Sequence, residues 1–187
     1  MTPHQAFEAA VATTQEVIDQ SPISDDDLRR PTPCRDFDVA ALSEHLIDTH
    51  QFLLTAAGGA AVDGGGSLAE RHRAVAAASI EHWAARGTDG SIDLGGNELP
   101  ASFGLSLHTL ETYVHGWDLA RGLGRAFEPS AELTDVAYSI AQQIVSDDVR
   151  GVDGPYGPAV DIGDGADLVD RIVAHTGRDP QQGVRHV

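Results

Sequence analysis

The segment from Gly104 to Gly124 constrains the fold of this chain most, because it carries two stripes of residues at helical spacing. The apolar stripe recurs at i, i+3, i+7 and i+10 and consists of Leu107, Leu110, Val114 and Trp117. The polar stripe has the same spacing and consists of His108, Glu111, His115 and Asp118. About a quarter-turn separates the two stripes, so the polar one is expected to face the interior or the mouth of a helical bundle. Ionisable groups are costly to desolvate there, and a divalent metal is the simplest way to neutralise them.

Glu111 and His115 are the most informative pair within the polar stripe. Side chains four residues apart on a helix lie one above the other, with Cβ atoms about 5–6 Å apart, so this pair can hold one ion from a single helix. The spacing also arises by chance in many helices, and a third ligand from another helix is therefore needed. His45 borders the apolar face of an earlier predicted helix. By itself it is either a boundary histidine or that ligand.

The charge balance excludes several classes of function. The chain has 12 basic and 29 acidic residues and a formal net charge of −17, which argues against nucleic acid and against anionic membrane surfaces as partners. Every basic residue is an arginine, which excludes lysine Schiff-base chemistry and a P-loop. The single cysteine, Cys34, excludes an internal disulfide and a cysteine-rich zinc site. Its thiol is either simply packed or reactive.

No targeting or membrane-spanning segment is predicted. Glu8 interrupts the apolar stretch near the N-terminus, which also lacks a basic region, so it does not resemble a signal peptide. No apolar run approaches the length of a transmembrane helix. A cytoplasmic protein is the simplest interpretation.

Apolar periodicity predicts a mostly all-α fold. Four long helices are expected at about residues 3–19, 38–57, 67–86 and 104–123. Residues 88–103 show no helical period and predict either a long ordered loop or a short hairpin. An appendage at about 130–177 is expected to add one or two C-terminal helices with short irregular or β segments. The pattern favours a four-helix bundle that forms a single domain over residues 1–187.

Two further histidines receive no role in the predicted site. His50 lies five residues beyond His45, so the two cannot chelate one ion from a single helix. His72, on the third predicted helix, is expected to face solvent.

Three motifs together resemble the DinB/YfiT-like metal-binding superfamily, and more narrowly the branch related to the N-terminal domain of mycothiol-dependent maleylpyruvate isomerase. The first motif combines Thr32-Pro33-Cys34 with Phe37-Asp38-Val39 and the helix Leu42–Leu46. The second is Glu111–Ala120, the most specific of the three, and the third is His175–Pro180. They are spread over nearly the whole chain in the expected order, although Phe37 stands where relatives commonly carry Trp.

The resemblance implies a four-helix bundle with a divalent metal between helices, held by His45, Glu111 and His115. Zinc is the expected metal, although these ligands also suit nickel, iron or manganese. The resemblance further implies a low-molecular-weight thiol such as mycothiol as cosubstrate. Its thiolate would attack a small electrophilic substrate in a transferase or isomerase reaction. His108 and Asp118, on the same stripe, are candidates for orienting a ligand histidine from outside the metal shell.

Three alternatives remain open at the level of sequence. The same site could belong to a non-catalytic metal-binding or stress-associated bundle. It could also belong to a metal-dependent hydrolase that uses bound water as nucleophile. Finally, the polar stripe could lie at the interface of a purely structural bundle. A homodimer is expected only from the relatives.

Overall fold

The computed structural model describes residues 1–35, 37–151, 154–163 and 165–181. Seven α-helices and one two-stranded sheet are found in this part of the chain. The helices are α1 (Pro3–Asp19), α2 (Asp25–Leu28), α3 (Val39–Ala56), α4 (Leu68–Arg86), α5 (Ala101–Leu123), α6 (Ala131–Ile144) and α7 (Leu168–His175). The strands are β1 (Ser91–Leu94) and β2 (Asn97–Pro100), and a 3-10 turn covers Asp147–Val149. The prediction of a mostly α fold with extra C-terminal helices and short β segments is confirmed.

Short polar side chains define where the bundle helices begin. Asp38 accepts a hydrogen bond from the Ala41 amide and caps α3. Ser67 and Glu70 form a reciprocal capping box at the start of α4. Helix α5 ends at Leu123, and the next residue, Gly124, adopts a left-handed conformation with φ 66°, which a residue with a side chain rarely takes.

Helices α1, α3, α4 and α5 pack around a shared interior and form the four-helix bundle. Helices α6 and α7 pack on each other, and α6 also lies against α5 and α1. The segment before α5, for which a loop or a hairpin was possible, forms an antiparallel hairpin with Ser91 paired to Pro100. The Ile92 side chain of this hairpin is buried against Gly104 at the start of α5.

Two element boundaries differ from the predictions. Helix α5 begins at Ala101, three residues before the predicted start, because β2 leads directly into it. The apolar period predicts that α6 continues to about Val149, but the helix ends at Ile144, since Val145 leaves the helical region with ψ 74°. No helix in the described ranges is both long and apolar enough to cross a membrane.

Candidate metal centre

Helices α3 and α5 bring three predicted ligands together. His45 comes from α3, whereas Glu111 and His115 lie one turn apart on α5. One nitrogen or oxygen atom from each of the three side chains lies within 4.8 Å of the other two. The rings of His45 and His115 meet edge to face with centroids 4.9 Å apart. The helices run antiparallel, because His45 is next to His115 while His50, further along α3, bonds to His108, earlier on α5.

Glu111 is held between a histidine and a tyrosine. Its Oε2 lies 3.2 Å from Nε2 of His115, and its Oε1 accepts a 2.5 Å hydrogen bond from the Tyr156 hydroxyl. Burial by itself would raise the pKa of Glu111, but the His115 and Tyr156 contacts outweigh it and lower the pKa to about 2. The carboxylate is therefore ionised throughout the physiological range.

Asp118 contacts the other nitrogen of the His115 ring. Nδ1 of His115 lies 3.1 Å from Oδ2 of Asp118, and the same oxygen accepts a 2.9 Å hydrogen bond from Arg178. Burial lowers the pKa of His115, but Asp118 and Glu111 on its two nitrogens outweigh burial and raise it well above its usual value. Asp118 thus lies behind a candidate ligand, and its role in orienting that ligand stays a prediction.

His45 is half-buried and has no hydrogen-bond partner among the described residues. Burial is the largest cause that lowers its pKa, and the positive charge of His115 adds to it. The Phe37 ring covers one side of the imidazole, with centroids 5.0 Å apart. A neutral imidazole with a free lone pair is the form of histidine that binds a metal.

The structure does not bring His108 to these three residues. Its side chain is fully buried one turn deeper in the bundle, where its Nε2 lies 2.7 Å from Nδ1 of His50. Its Nδ1 accepts a 3.2 Å hydrogen bond from the indole nitrogen of Trp83. Both ring nitrogens are thus occupied, and the suggested orienting role for His108 has to be corrected. The step of about 4.5 Å along the axis between residues three apart explains the separation.

His72 is also placed differently from the prediction. The side chain is fully buried, and its Nδ1 lies 2.7 Å from Oε1 of Gln15 on α1. It lies against His50, with ring centroids 5.2 Å apart. The bundle therefore contains a second, deeper group of histidines that is separate from the candidate metal centre.

The three candidate ligands line a cavity of about 650 Å³. Aromatic and aliphatic side chains from α3 and α5 form one wall, and the segment around Tyr156 and Gly177 forms the other. The donor set of two imidazoles and one carboxylate suits a divalent metal such as zinc. Three protein ligands that face a cavity leave positions open for a small molecule, which is typical of catalytic sites and not of structural ones.

Comparison with known proteins agrees with this architecture. The model of the mycothiol maleylpyruvate isomerase N-terminal domain family matches residues 20–120, more than half of the chain. The chain belongs to this family. Two uncharacterized proteins of Mycobacterium tuberculosis, from strains CDC 1551 and H37Rv, are each 29% identical over 137 residues. The matched region is 70% of this chain and 74% of each relative. No solved structure matches the chain significantly.

The family match ends at residue 120, and two residues beyond it complete the surroundings of the site. Tyr156 comes from a glycine- and proline-rich segment with no periodicity, so the sequence gives no signal for its contact with Glu111. Arg178 lies within the third motif that carries the family resemblance, which was a signal, but its pairing with Asp118 depends on tertiary structure.

Cys34 lies beside the candidate metal centre. Its sulfur is within 4.8 Å of ligand atoms of His115 and Asp118, and Nη2 of Arg178 lies 3.6 Å from it. The thiol is half-buried and lines the same cavity as the three candidate ligands. It is therefore placed where it can contact a bound molecule.

Proposed function

We propose that this protein binds one divalent metal, zinc in the first instance, through His45, Glu111 and His115, and uses it to transfer or rearrange a low-molecular-weight thiol adduct. The observation that carries the proposal is the approach of three ligand atoms to within 4.8 Å at the wall of a cavity of about 650 Å³. Membership of the mycothiol maleylpyruvate isomerase N-terminal domain family supports a thiol such as mycothiol as cosubstrate. The second substrate would be a small electrophile.

A divalent metal in this position would supply Lewis acidity that favours the thiolate form of a coordinated thiol. The residues of the chain prepare the site for that chemistry. Asp118 accepts a hydrogen bond from Nδ1 of His115 and so directs Nε2 towards Glu111. Tyr156 donates to Oε1 of Glu111, which leaves Oε2 facing His115. Aromatic and aliphatic side chains on the cavity wall disfavour bound water, which would otherwise compete with the thiol.

The direct test is metal content. We would purify the protein without chelator or nickel resin and measure bound metals by plasma mass spectrometry, in parallel with His45→Ala and Glu111→Ala. We expect close to one divalent ion per chain in the parent and a loss of that ion in both variants. His4→Ala is the matched control, because His4 lies on α1 and bonds to the Ile80 carbonyl away from the cavity.

Activity is tested separately, with mycothiol or another low-molecular-weight thiol together with an electrophile. The zinc-loaded parent should accelerate conversion of the electrophile in the presence of the thiol, whereas His45→Ala and the metal-free protein should not. Metal binding without any acceleration would instead favour a non-catalytic metal-binding bundle. Acceleration of ester hydrolysis without thiol would favour a hydrolase, and a parent that binds no metal even with added zinc would refute the metal site itself.

A further inference from the structure

The lining of the cavity continues from the candidate metal centre along α3 and α5, and this part of the cavity is here called the channel. The residues that line it include His45, Thr49 and Phe52 on α3, and Glu111, Leu107 and Phe103 on α5. Each set follows one helix face at steps of three or four residues, and the helices run antiparallel. Both helices therefore present metal-ligand candidates at one end of the channel and phenylalanine at the other. At 1.5 Å per residue the two ends are about 10–12 Å apart.

The far end of this channel is unusually apolar for a surface. Phe52 is 51% exposed, and it and Met1 at the N-terminus are the large hydrophobic side chains left exposed in the described part of the chain. Phe103 and Leu107 are only partly covered on the same channel. Contact with an apolar ligand would remove this surface from water, which is favourable by roughly 25 cal/mol per Å².

Two arginines, Arg35 and Arg178, line the cavity near the candidate ligands. Within the described ranges, Arg35 has no hydrogen bond or ion pair, whereas Arg178 is committed to Asp118. Arg35 lines the cavity and follows Cys34 in the chain. Its Nη2 lies 3.7 Å from the position that a Cβ on Gly157 would take, next to Tyr156, which bonds to Glu111. The free guanidinium is thus at the end of the channel that holds the candidate ligands.

We propose that the electrophilic substrate is an amphipathic monoanion: its anionic group pairs with Arg35, and its apolar body extends along the channel to Phe52 and Phe103. This rests on the proposed function, which makes the cavity a reaction site. The class of substrate follows from the side chains that line the cavity. A small dianion such as maleate would satisfy the cation but leave the 10–12 Å apolar channel unfilled, and it would bring a second charge to an apolar wall.

The test is a binding series that requires no reaction. The protein is titrated calorimetrically, in its metal-free and in its zinc-loaded form, with acetate, butanoate, hexanoate and octanoate, and with maleate for comparison. We expect the dissociation constant to fall by about fourfold for each added methylene until the chain fills the channel, with octanoate much tighter than maleate. Methyl octanoate, which lacks the charge, should bind about tenfold more weakly than octanoate.

Variants separate the two ends of the site. Arg35→Gln should weaken every alkanoate by a similar factor of about ten and leave the dependence on chain length intact. Phe52→Ala and Phe103→Ala should flatten the dependence on chain length and leave acetate unchanged. Arg29→Gln is the charge-matched control, because exposed Arg29 pairs with Asp26 on α2 and does not line the cavity.

Two results would overturn this inference. One is maleate binding as tightly as octanoate or better, and the other is an alkanoate affinity that Arg35→Gln leaves unchanged. In thiol-transfer kinetics, a rise of KM for the thiol alone in Arg35→Gln would likewise reject the assignment, since the anion would then belong to the cosubstrate. Failure of the proposed function is distinguishable, because it appears as absent metal or absent turnover while the alkanoate series can still be measured.

Discussion

At the scale of single residues, Asp118 determines which nitrogen His115 can offer to a ligand. An Asp118 oxygen lies 3.1 Å from Nδ1, and Arg178 holds the carboxylate from the other side at 2.9 Å. With a proton fixed on Nδ1, Nε2 is the nitrogen left to face Glu111 and His45. Burial would raise the pKa of Asp118, but the charges of Arg178 and His115 outweigh it and keep the pKa below its usual value. The carboxylate can therefore orient the ring without ever being protonated near neutral pH.

Asp118→Asn should weaken zinc binding by roughly 10–100-fold, the range seen when such a carboxylate behind a ligand histidine is removed. The amide keeps the size of the side chain but provides a weaker acceptor for Nδ1–H. Competition with a chromophoric zinc chelator measures the affinity, and circular dichroism checks that the variant is folded. Asp135→Asn, at an exposed position on α6, is the control. Equal zinc affinity in Asp118→Asn and the parent would show that Asp118 is only a structural partner of Arg178.

At this scale the sequence could predict which side chains lie together only where helix geometry alone decides proximity. Glu111, His115 and Asp118 are three and four residues apart, so the helix itself brings them together. His108 shares their face, but its depth along the axis places it among side chains of α3 and α4, which periodicity cannot reveal. Tyr156 comes from an aperiodic segment 45 residues away from Glu111, and only the folded chain brings the two together.

At the scale of elements, the packing of α1 against α5 depends on Gly116, the residue after His115. A Cβ at Gly116 would lie 2.2 Å from Oγ1 of Thr14 on α1 and 3.2 Å from the Phe127 ring. The Thr14 hydroxyl is fully buried and donates to the Thr112 carbonyl of α5 at 3.0 Å. The absence of a side chain at Gly116 therefore allows α1 to press against α5 on the side opposite to the cavity.

Gly116→Ala should destabilise the protein by about 1–3 kcal/mol through overpacking. Alanine favours a helix over glycine by up to about 1 kcal/mol, so a loss of stability would mean that the contact with Thr14 outweighs helix propensity. Urea unfolding followed by circular dichroism gives the free energy. Gly65→Ala is the control, because a Cβ there meets nothing within 4 Å. A stabilised Gly116→Ala would mean that α1 moves away at no cost.

Prediction of the elements followed the strength of the local signals. The bundle helices have long apolar periods and clear caps, such as Asp38 for α3 and the Ser67–Glu70 box for α4, so their positions were predictable. The hairpin before α5 has two strands of four residues each, too short for an alternating pattern to distinguish it from a loop. The end of α6 at Ile144 depends on the backbone of Val145 and had no sequence signal comparable to a proline.

At the scale of the whole molecule, the deeper histidines His50, His72 and His108 join all four bundle helices in one network. Hydrogen bonds and a ring contact between His50 and His72 form this network. The indole of Trp83 can only donate, so Nδ1 of His108 must accept and its Nε2 must carry the proton given to His50. His72 in turn donates from Nδ1 to Gln15. Nε2 of His50 and Nε2 of His72 have no hydrogen-bond partner among the described residues. The network is compatible with neutral rings only: a further proton would face the Trp83 N–H on His108, the His108 N–H on His50, and a buried position without an acceptor among the described residues on His72.

This network should make the protein sensitive to mild acid. Burial is the main cause that lowers the pKa of His72 to about 4 and the pKa of His108 to about 3, and it also lowers the pKa of His50. Of the charges near His72, Asp19 raises its pKa and Arg73 lowers it. Between these values and about 6.5 the unfolded chain binds more protons than the folded one, so stability falls as the pH falls. Over the whole interval from pH 6.5 to its pKa of about 4, His72 alone should lower the free energy of unfolding by roughly 3 kcal/mol.

The measurement is urea unfolding of the metal-free protein from pH 7.5 to pH 5.0, above the range in which unfolded carboxylates titrate. His115 acts with the opposite sign, because its folded-state pKa is raised, so the informative quantity is the difference between the parent and His72→Gln. Glutamine cannot take up a proton, and the loss of stability between pH 7.5 and pH 5.0 should therefore be smaller in the variant. His82→Gln, at a partly exposed position on the same helix, is the control for replacing a histidine of α4. Identical curves for His72→Gln and the parent would mean that the loss of stability in acid is due to protonation of another group.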